Sequence, residues 1–466
     1  WLSNCLHTHS RCQSSSLDEK WYPTRLLRLE QVPGGDIRIR LQESAFETPS
    51  GPYIALSHRW GQANIVKLET KHLSSMKDNI AFEELPKTFQ DAARVALYFD
   101  CHYLWIDSLC LIQNSQEDWL HEASVKEVYR HCLFTISATN PHSPETGLSS
   151  GRQVTIWDED LWGALVHDSP LNKRGWTLQE RFLSPRILHF SNTQLAWECE
   201  SFEACELSPH GIEPEEHHSA RLSKRNVSTE TIRSLQDAWV NVVVNYSKCS
   251  TTRPNDKLLA LSVVASYYQE KMKDTYLAGL WKNNFVRQLA WLREERHLQE
   301  GGATEYRAPS WSWAATDGVV DMVDFRYDNI KAELVNAETT LIDPDNPTGP
   351  VCGGSATLKG PLVVFSWEKI ETGYYVPPGH DERENFEAEI FFDRKISPEH
   401  FFCFVLYTSR GSFPGFLGLV IEEINTESNS SERPRAFRRV GSVKIKTKKQ
   451  GTDFLGGCQE TTIVIV

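Results

Sequence analysis

What most limits the fold of this chain is a succession of short apolar runs that each stop at polar residues. An amphipathic helix lies between the first two. The run Tyr53 to Leu56 gives way to Ser57, His58, Arg59 and Trp60, and the run Tyr103 to Ile106 gives way to Asp107 and Ser108. A third run, "LFTISAT", follows. Runs so short and so uniformly apolar suit strands buried on both faces of a parallel sheet. In "LPKTFQDAARVALYFD", Phe89, Ala92, Ala93, Ala96 and Leu97 recur at helical spacing, and Pro86 suits the helix start. Strand, helix, strand, helix, strand implies right-handed crossovers and a doubly wound α/β sheet.

In such sheets ligands bind outside the carboxyl ends of the strands. That rule selects Ser57, His58, Arg59 and Trp60 after the first strand, and Asp107, Ser108 and the loop to Ser115 after the second. Ser115 and Asp118 stand in a Ser-x-x-Asp arrangement that caps the next helix, and Glu117 and Asp118 suit its positive end. Glu122 then shares a helix face with Trp119, Val125 and Tyr129. A carboxylate on an apolar stripe is costly unless paired, and its pKa tends to rise. A functional carboxylate and a glutamate salt-bridged to a nearby arginine both account for Glu122. Trp119 is either a stacking platform or a core anchor.

After a Gly/Ser/Pro-rich stretch, "RGWTLQERFLSPRILHFSNTQLAWECES" reads as a short helix from about Trp176, stopped before Pro185, and two strands. Residues 206 to 225 are polar and mark a boundary. Helical patterns run from 229 to 297, and alternating strand patterns follow from Tyr306. The expected organisation is a lead-in segment with two edge strands (1–45), an α/β domain (46–205), a helical region (206–300) and a mainly β C-terminal domain (301–466).

Asp and Glu outnumber Lys and Arg by 62 to 49, for a net charge of −13. That balance argues against nucleic acid as the main partner, because phosphate backbones call for a basic face. No apolar run is long enough to span a bilayer. The chain begins at Trp1 and so reads as a piece of a longer protein from which a targeting segment could be missing. Eleven scattered cysteines, several of them in apolar runs, suggest a reduced, cytoplasmic protein. "CLHTHSRC" places Cys5, His7, His9 and Cys12 close together, but its C-x6-C spacing differs from the C-x2-4-C of structural zinc. Ordinary core cysteines and no metal are the expectation there. No Walker loop, G-x-S-x-G or G-x-G-x-x-G occurs.

Taken together, "YIALSHRWG", the run from "LPKTFQ" to "LFTISA", and "RGWTLQERFLSPRILHF" resemble the fungal heterokaryon-incompatibility (HET) domain over about residues 50 to 200. "DKLLALSVVA", "YLAGLW" and "RAPSWSWAA" are similar to the downstream region of many HET-domain proteins. The resemblance implies an effector of growth arrest or cell death. It also implies a remote likeness to TIR domains, and with it a TIR/flavodoxin-like parallel sheet. "RGWTLQE" is similar to the Trp-x-x-x-Glu helix of plant TIR domains, which adds Trp176 to the site. Some TIR domains hydrolyse NAD+ with one glutamate, and the likeness puts Glu122 in that catalytic role. NAD+ would then be a substrate, with no cofactor. Trp119 would stack on the ligand and Arg59 would meet its pyrophosphate. Two other readings stay open: a non-catalytic signalling module that self-associates or recruits an incompatibility partner, and a metabolic enzyme acting on another small molecule.

Overall fold

The computed structural model describes residues 1–13, 21–60, 66–115, 118, 125–139, 148, 161–212, 232–251, 253–294, 306–322, 329–366, 374–375, 384–385, 387–393, 400–409, 415–424, 435–446, 455, 458 and 460–466. The chain forms two compact units, Trp1–Ser228 and Thr229–Val466.

In the first unit, helices α1 (Leu2–Thr8) and α2 (Ser10–Gln13) precede an antiparallel hairpin of β1 (Arg25–Gln31) and β2 (Ile37–Glu43). Then come β3 (Ile54–Ser57), α3 (Leu73–Asp78), α4 (Lys87–Tyr98), β4 (Tyr103–Ile106), α5 (Asp107–Cys110), α6 (Val125–His131) and β5 (Thr135–Ser137). Helix α7 (Gly175–Leu183) leads into β6 (Arg186–Phe190), β7 (Leu195–Cys199) and β8 (Glu203–Cys205). The sheet order is β2-β1-β4-β3-β5-β6-β7-β8.

As expected, β3 and β4 lie side by side and parallel, with Ile54 opposite Leu104 and Leu56 opposite Ile106. Strands β5 and β6 continue the parallel core on the other side of β3. All four residues of β3 and all four of β4 are buried, as strands with helices on both faces must be. Helix α4 packs through Phe89, Ala92, Ala93 and Ala96; the three alanines let its backbone approach the sheet.

The sheet departs from the expected all-parallel, flavodoxin-like form. It is mixed: the β1–β2 hairpin pairs antiparallel to β4, and β7 and β8 add antiparallel beyond β6. Connection length accounts for the β1–β2 and β6–β7 pairings. The segments joining β1 to β2 and β6 to β7 are too short to hold a crossover, so those strands must turn back on their neighbours.

The second unit opens with helices Ile232–Ser247 and Leu259–Met272 and continues into an antiparallel-dominated sheet. Its 16-residue strand Val351–Ser366 pairs first with Glu460–Ile465 and then with His400–Ser409. With Gly415–Glu423 and Arg435–Lys446 this closes a ring around Val363, Val405, Phe416, Val420, Val443 and Ile445. This is the mainly β region expected from the alternating pattern.

Candidate functional site

Connections from β3 run to β4 on one side, and the chain then returns past β3 to β5 on the other. The order of the sheet therefore reverses between β3 and β5, the switch point where open α/β sheets bind ligands. Ser57 ends β3 opposite Ser137, which ends β5.

At this point Ser57 donates its hydroxyl proton to Oε2 of Glu180, on α7. Tyr129 of α6 hydrogen-bonds the same carboxyl group. Glu180 keeps some exposure as a residue, yet its carboxyl group is enclosed by protein, and that enclosure governs its chemistry. Burial raises its pKa above the usual carboxylate range, while Arg174 and the Ser57 hydrogen bond pull it back down. Burial, with Glu180 and Asp107 nearby, pushes the Tyr129 phenol well up, so its hydroxyl stays a donor. Tyr129 is held edge-on to Trp105 of β4, with ring centroids 5.7 Å apart.

Helix α7 owes its position to its two ends. A 3-10 turn at Leu171–Lys173 precedes it, and Ser184 and Pro185 stop it. The Ser184 hydroxyl donates to the Glu180 carbonyl (2.7 Å). Arg174, just before the helix, donates to the His58 carbonyl and so ties α7 to the loop after β3.

His58 is buried against Phe89 of α4, with centroids 4.9 Å apart and rings perpendicular. Among the described residues neither ring nitrogen has a hydrogen-bond partner. Burial depresses its pKa and Arg174 adds to this, while Asp107, 3.9 Å from Nδ1, opposes it. The imidazole is therefore held neutral. Trp60 donates its indole N–H to Asp107 Oδ2 (2.6 Å), and Asp107 Oδ1 accepts the backbone N–H of Ser108 (2.7 Å). Ser108 is fully buried, and its Oγ has no partner among the described residues. Arg59 and Trp176 are half-buried, Arg59 in the loop after β3 and Trp176 in the first turn of α7.

The structure thus gathers Ser57, His58, Trp60, Asp107 and Ser108 at one end of the sheet. Trp119 and Glu122 lie outside the described residues. The approach to them is fixed by the cap read from the sequence: Asp118 N–H donates to Ser115 Oγ (3.1 Å). Asp118 also accepts the Ile112 N–H (2.7 Å) and is clamped by Arg25 of β1. Sequence reasoning did not nominate Glu180, Arg174 or the Arg25–Asp118 pair. The first had a signal, since Glu180 completes the Trp-x-x-x-Glu spacing from Trp176.

One family model, described as heterokaryon incompatibility protein (HET), recognises part of this chain, and its span holds β3, α4, β4, α6 and β5. Residues 53–162 match the HET family. The HET match ends before α7, so Arg174 and Glu180 reach the switch point from outside it. Comparison with curated proteins and with solved structures gave no match. Among the described residues no helix is long and apolar enough to cross a membrane.

Proposed function

We propose that this chain is a heterokaryon-incompatibility effector whose N-terminal α/β unit hydrolyses the N-glycosidic bond of NAD+ or a related nucleotide at the β3–β5 switch point. The observation that carries the reading is the Glu180 carboxyl group, enclosed there and held by Ser57 and Tyr129, with Arg174 nearby. In NAD+ the nicotinamide is already cationic, so it leaves without a general acid. As the bond breaks, positive charge develops on the ribose, as in other glycoside cleavages. A preorganised carboxylate stabilises that charge or orients the ribose hydroxyls. A cationic ribosyl group arriving beside an enclosed carboxyl also favours its ionised form. Water adds to the ribose carbon, giving ADP-ribose, nicotinamide and a proton. Arg59 and Arg174 supply the positive charge that a pyrophosphate needs.

Two carboxylates enter this reading: Glu122, from the resemblance to TIR domains, and Glu180, from the geometry. Purified full chain is incubated with NAD+ and nicotinamide is measured, alongside melting temperature, for Glu122→Gln and Glu180→Gln. Loss of a factor of ~10² or more in rate in a stably folded variant assigns that glutamate to the reaction. Full turnover in both folded variants refutes the assignment of either glutamate, and no nicotinamide from the unaltered chain refutes the enzymatic reading and favours a recruiting module.

A further inference from the structure

Three members of the short motif near the N-terminus, without His7, are joined by a cysteine from β7, the strand next to the far edge of the sheet. Cys5 of α1, His9 between the two helices, Cys12 of α2 and Cys199 at the end of β7 offer ligand atoms that all lie within 4.8 Å of one another. We infer that Cys5, His9, Cys12 and Cys199 form a structural zinc site.

The distances fit. Tetrahedral zinc, with thiolates at ~2.3 Å and an imidazole nitrogen at ~2.0 Å, places sulfur and nitrogen about 3.6 Å apart. His9 Nδ1 lies 3.5 Å from Cys199 Sγ and 3.9 Å from Cys12 Sγ. Three soft thiolates and one imidazole are a donor set that favours zinc, and four protein ligands close the coordination sphere, as in structural sites.

The surroundings fit a metal-thiolate centre better than a core of neutral thiols. Zinc with three thiolates and a neutral imidazole carries one net negative charge. Arg186, only 3% exposed, donates Nε–H to Cys5 Sγ at 3.2 Å. Its remaining nitrogens donate to the carbonyls of Cys12 (3.0 Å) and Leu133 (3.2 Å). A buried guanidinium is poorly compensated by a neutral thiol and well compensated by an anionic cluster. The Phe202 N–H donates to Cys199 Sγ (3.4 Å), and Ser201 Oγ lies 3.5 Å from Cys12 Sγ. These are the outer contacts that orient thiolate ligands.

The local fold explains how so short a motif gathers. Helix α1 ends at His9 in extended conformation (φ −87°, ψ 101°), which breaks the helix and turns His9 toward the sulfurs. The His9 carbonyl accepts the N–H groups of Cys12 and Gln13 and wraps α2 around it. His9 also packs edge-on against Phe202, with centroids 5.1 Å apart. Zinc here fastens the N-terminal helices to β7, beyond the segment that matches the HET family. On binding, each of the three thiols releases its proton, so affinity falls in acid.

Metal content of the full chain, purified without chelator, tests the inference. One zinc ion per chain is expected, with X-ray absorption showing three sulfurs near ~2.3 Å and one nitrogen near ~2.0 Å. Cys12→Ser and Cys199→Ser should lose the metal. Should those variants fail to fold, His9→Cys should retain zinc as a four-cysteine site and His9→Phe should lose it. Chelation should lower the melting temperature of the unaltered chain and leave that of His9→Phe unchanged. A zinc-free chain from zinc-supplemented medium, with all three thiols alkylated once the chain is denatured, overturns the inference. So does a disulfide between any two of these cysteines, or zinc retained by His9→Phe.

Discussion

Arg25 is the perturbation that asks most of this structure. Its Nη2 grips both carboxylate oxygens of Asp118, and its Nε donates to the Cys110 carbonyl (2.9 Å). Only 5% of the Arg25 side chain and 15% of the Asp118 side chain are exposed. Arg25→Met keeps the apolar stem and removes the fork. Asp118 is then left with the Ile112 N–H and a narrow opening to water. Stranding one member of a buried pair costs ~3–5 kcal/mol, and the residual donor and exposure of Asp118 put the expectation near the lower end, at about 3 kcal/mol. For a unit of this size that corresponds to a fall of roughly 6–12 °C in melting temperature. Urea titration followed by tryptophan fluorescence measures the difference. Removing both partners, as Arg25→Met with Asp118→Leu, should cost less than Arg25→Met alone, because no charge is then stranded. Since Asp118 leads directly into the segment of Trp119 and Glu122, nicotinamide release should fall in Arg25→Met even well below its melting temperature. The reasoning fails if Arg25→Met unfolds within ~0.5 kcal/mol of the unaltered chain, or if the two substitutions simply add.

Ser57→Ala takes one donor from Glu180, so the Glu180 pKa should rise further, at a cost of about 1–3 kcal/mol. A carboxyl whose folded pKa is already raised loses stability as pH climbs from the unfolded value through the folded one, and the variant should steepen that decline; an unmoved Glu180 titration by carboxyl-carbon NMR would count against the assignment. In the second unit, burial first and Arg307 next push Lys257 down to about 7. Between there and its ordinary value the unfolded chain binds the extra proton, so stability should increase with pH from ~7 to ~10, with a slope from this group of up to ~1.4 kcal/mol per pH unit, and Lys257→Met should flatten it. Above pH ~10 the buried Tyr246, Tyr268 and Tyr276, all with raised pKa, reverse the trend, which sets the upper limit of the measurement.

The sequence alone determined what depends on local pattern. Strands buried on both faces read as near-continuous apolar runs, so β3 and β4 and their parallel pairing could be read from "YIAL" and "YLWI". The apolar face of α4 and the Ser115 cap on Asp118 are set within a few residues, and both are legible for that reason. Ser57, Trp60 and Asp107 could be placed at one end of the sheet because strand ends are local facts and the switch-point rule does the rest. The tertiary structure decided which distant residues meet them. Glu180 reaches Ser57 across 123 positions of sequence, and Cys199 reaches His9 across 190. Arg25 finds Asp118 only because a hairpin from the N-terminal segment docks antiparallel on β4. No spacing rule encodes such pairs, since the chain between them is free to vary while packing fixes its ends. A charged or thiol side chain shows in the sequence what it can do, and the fold alone supplies the partner that makes it do so.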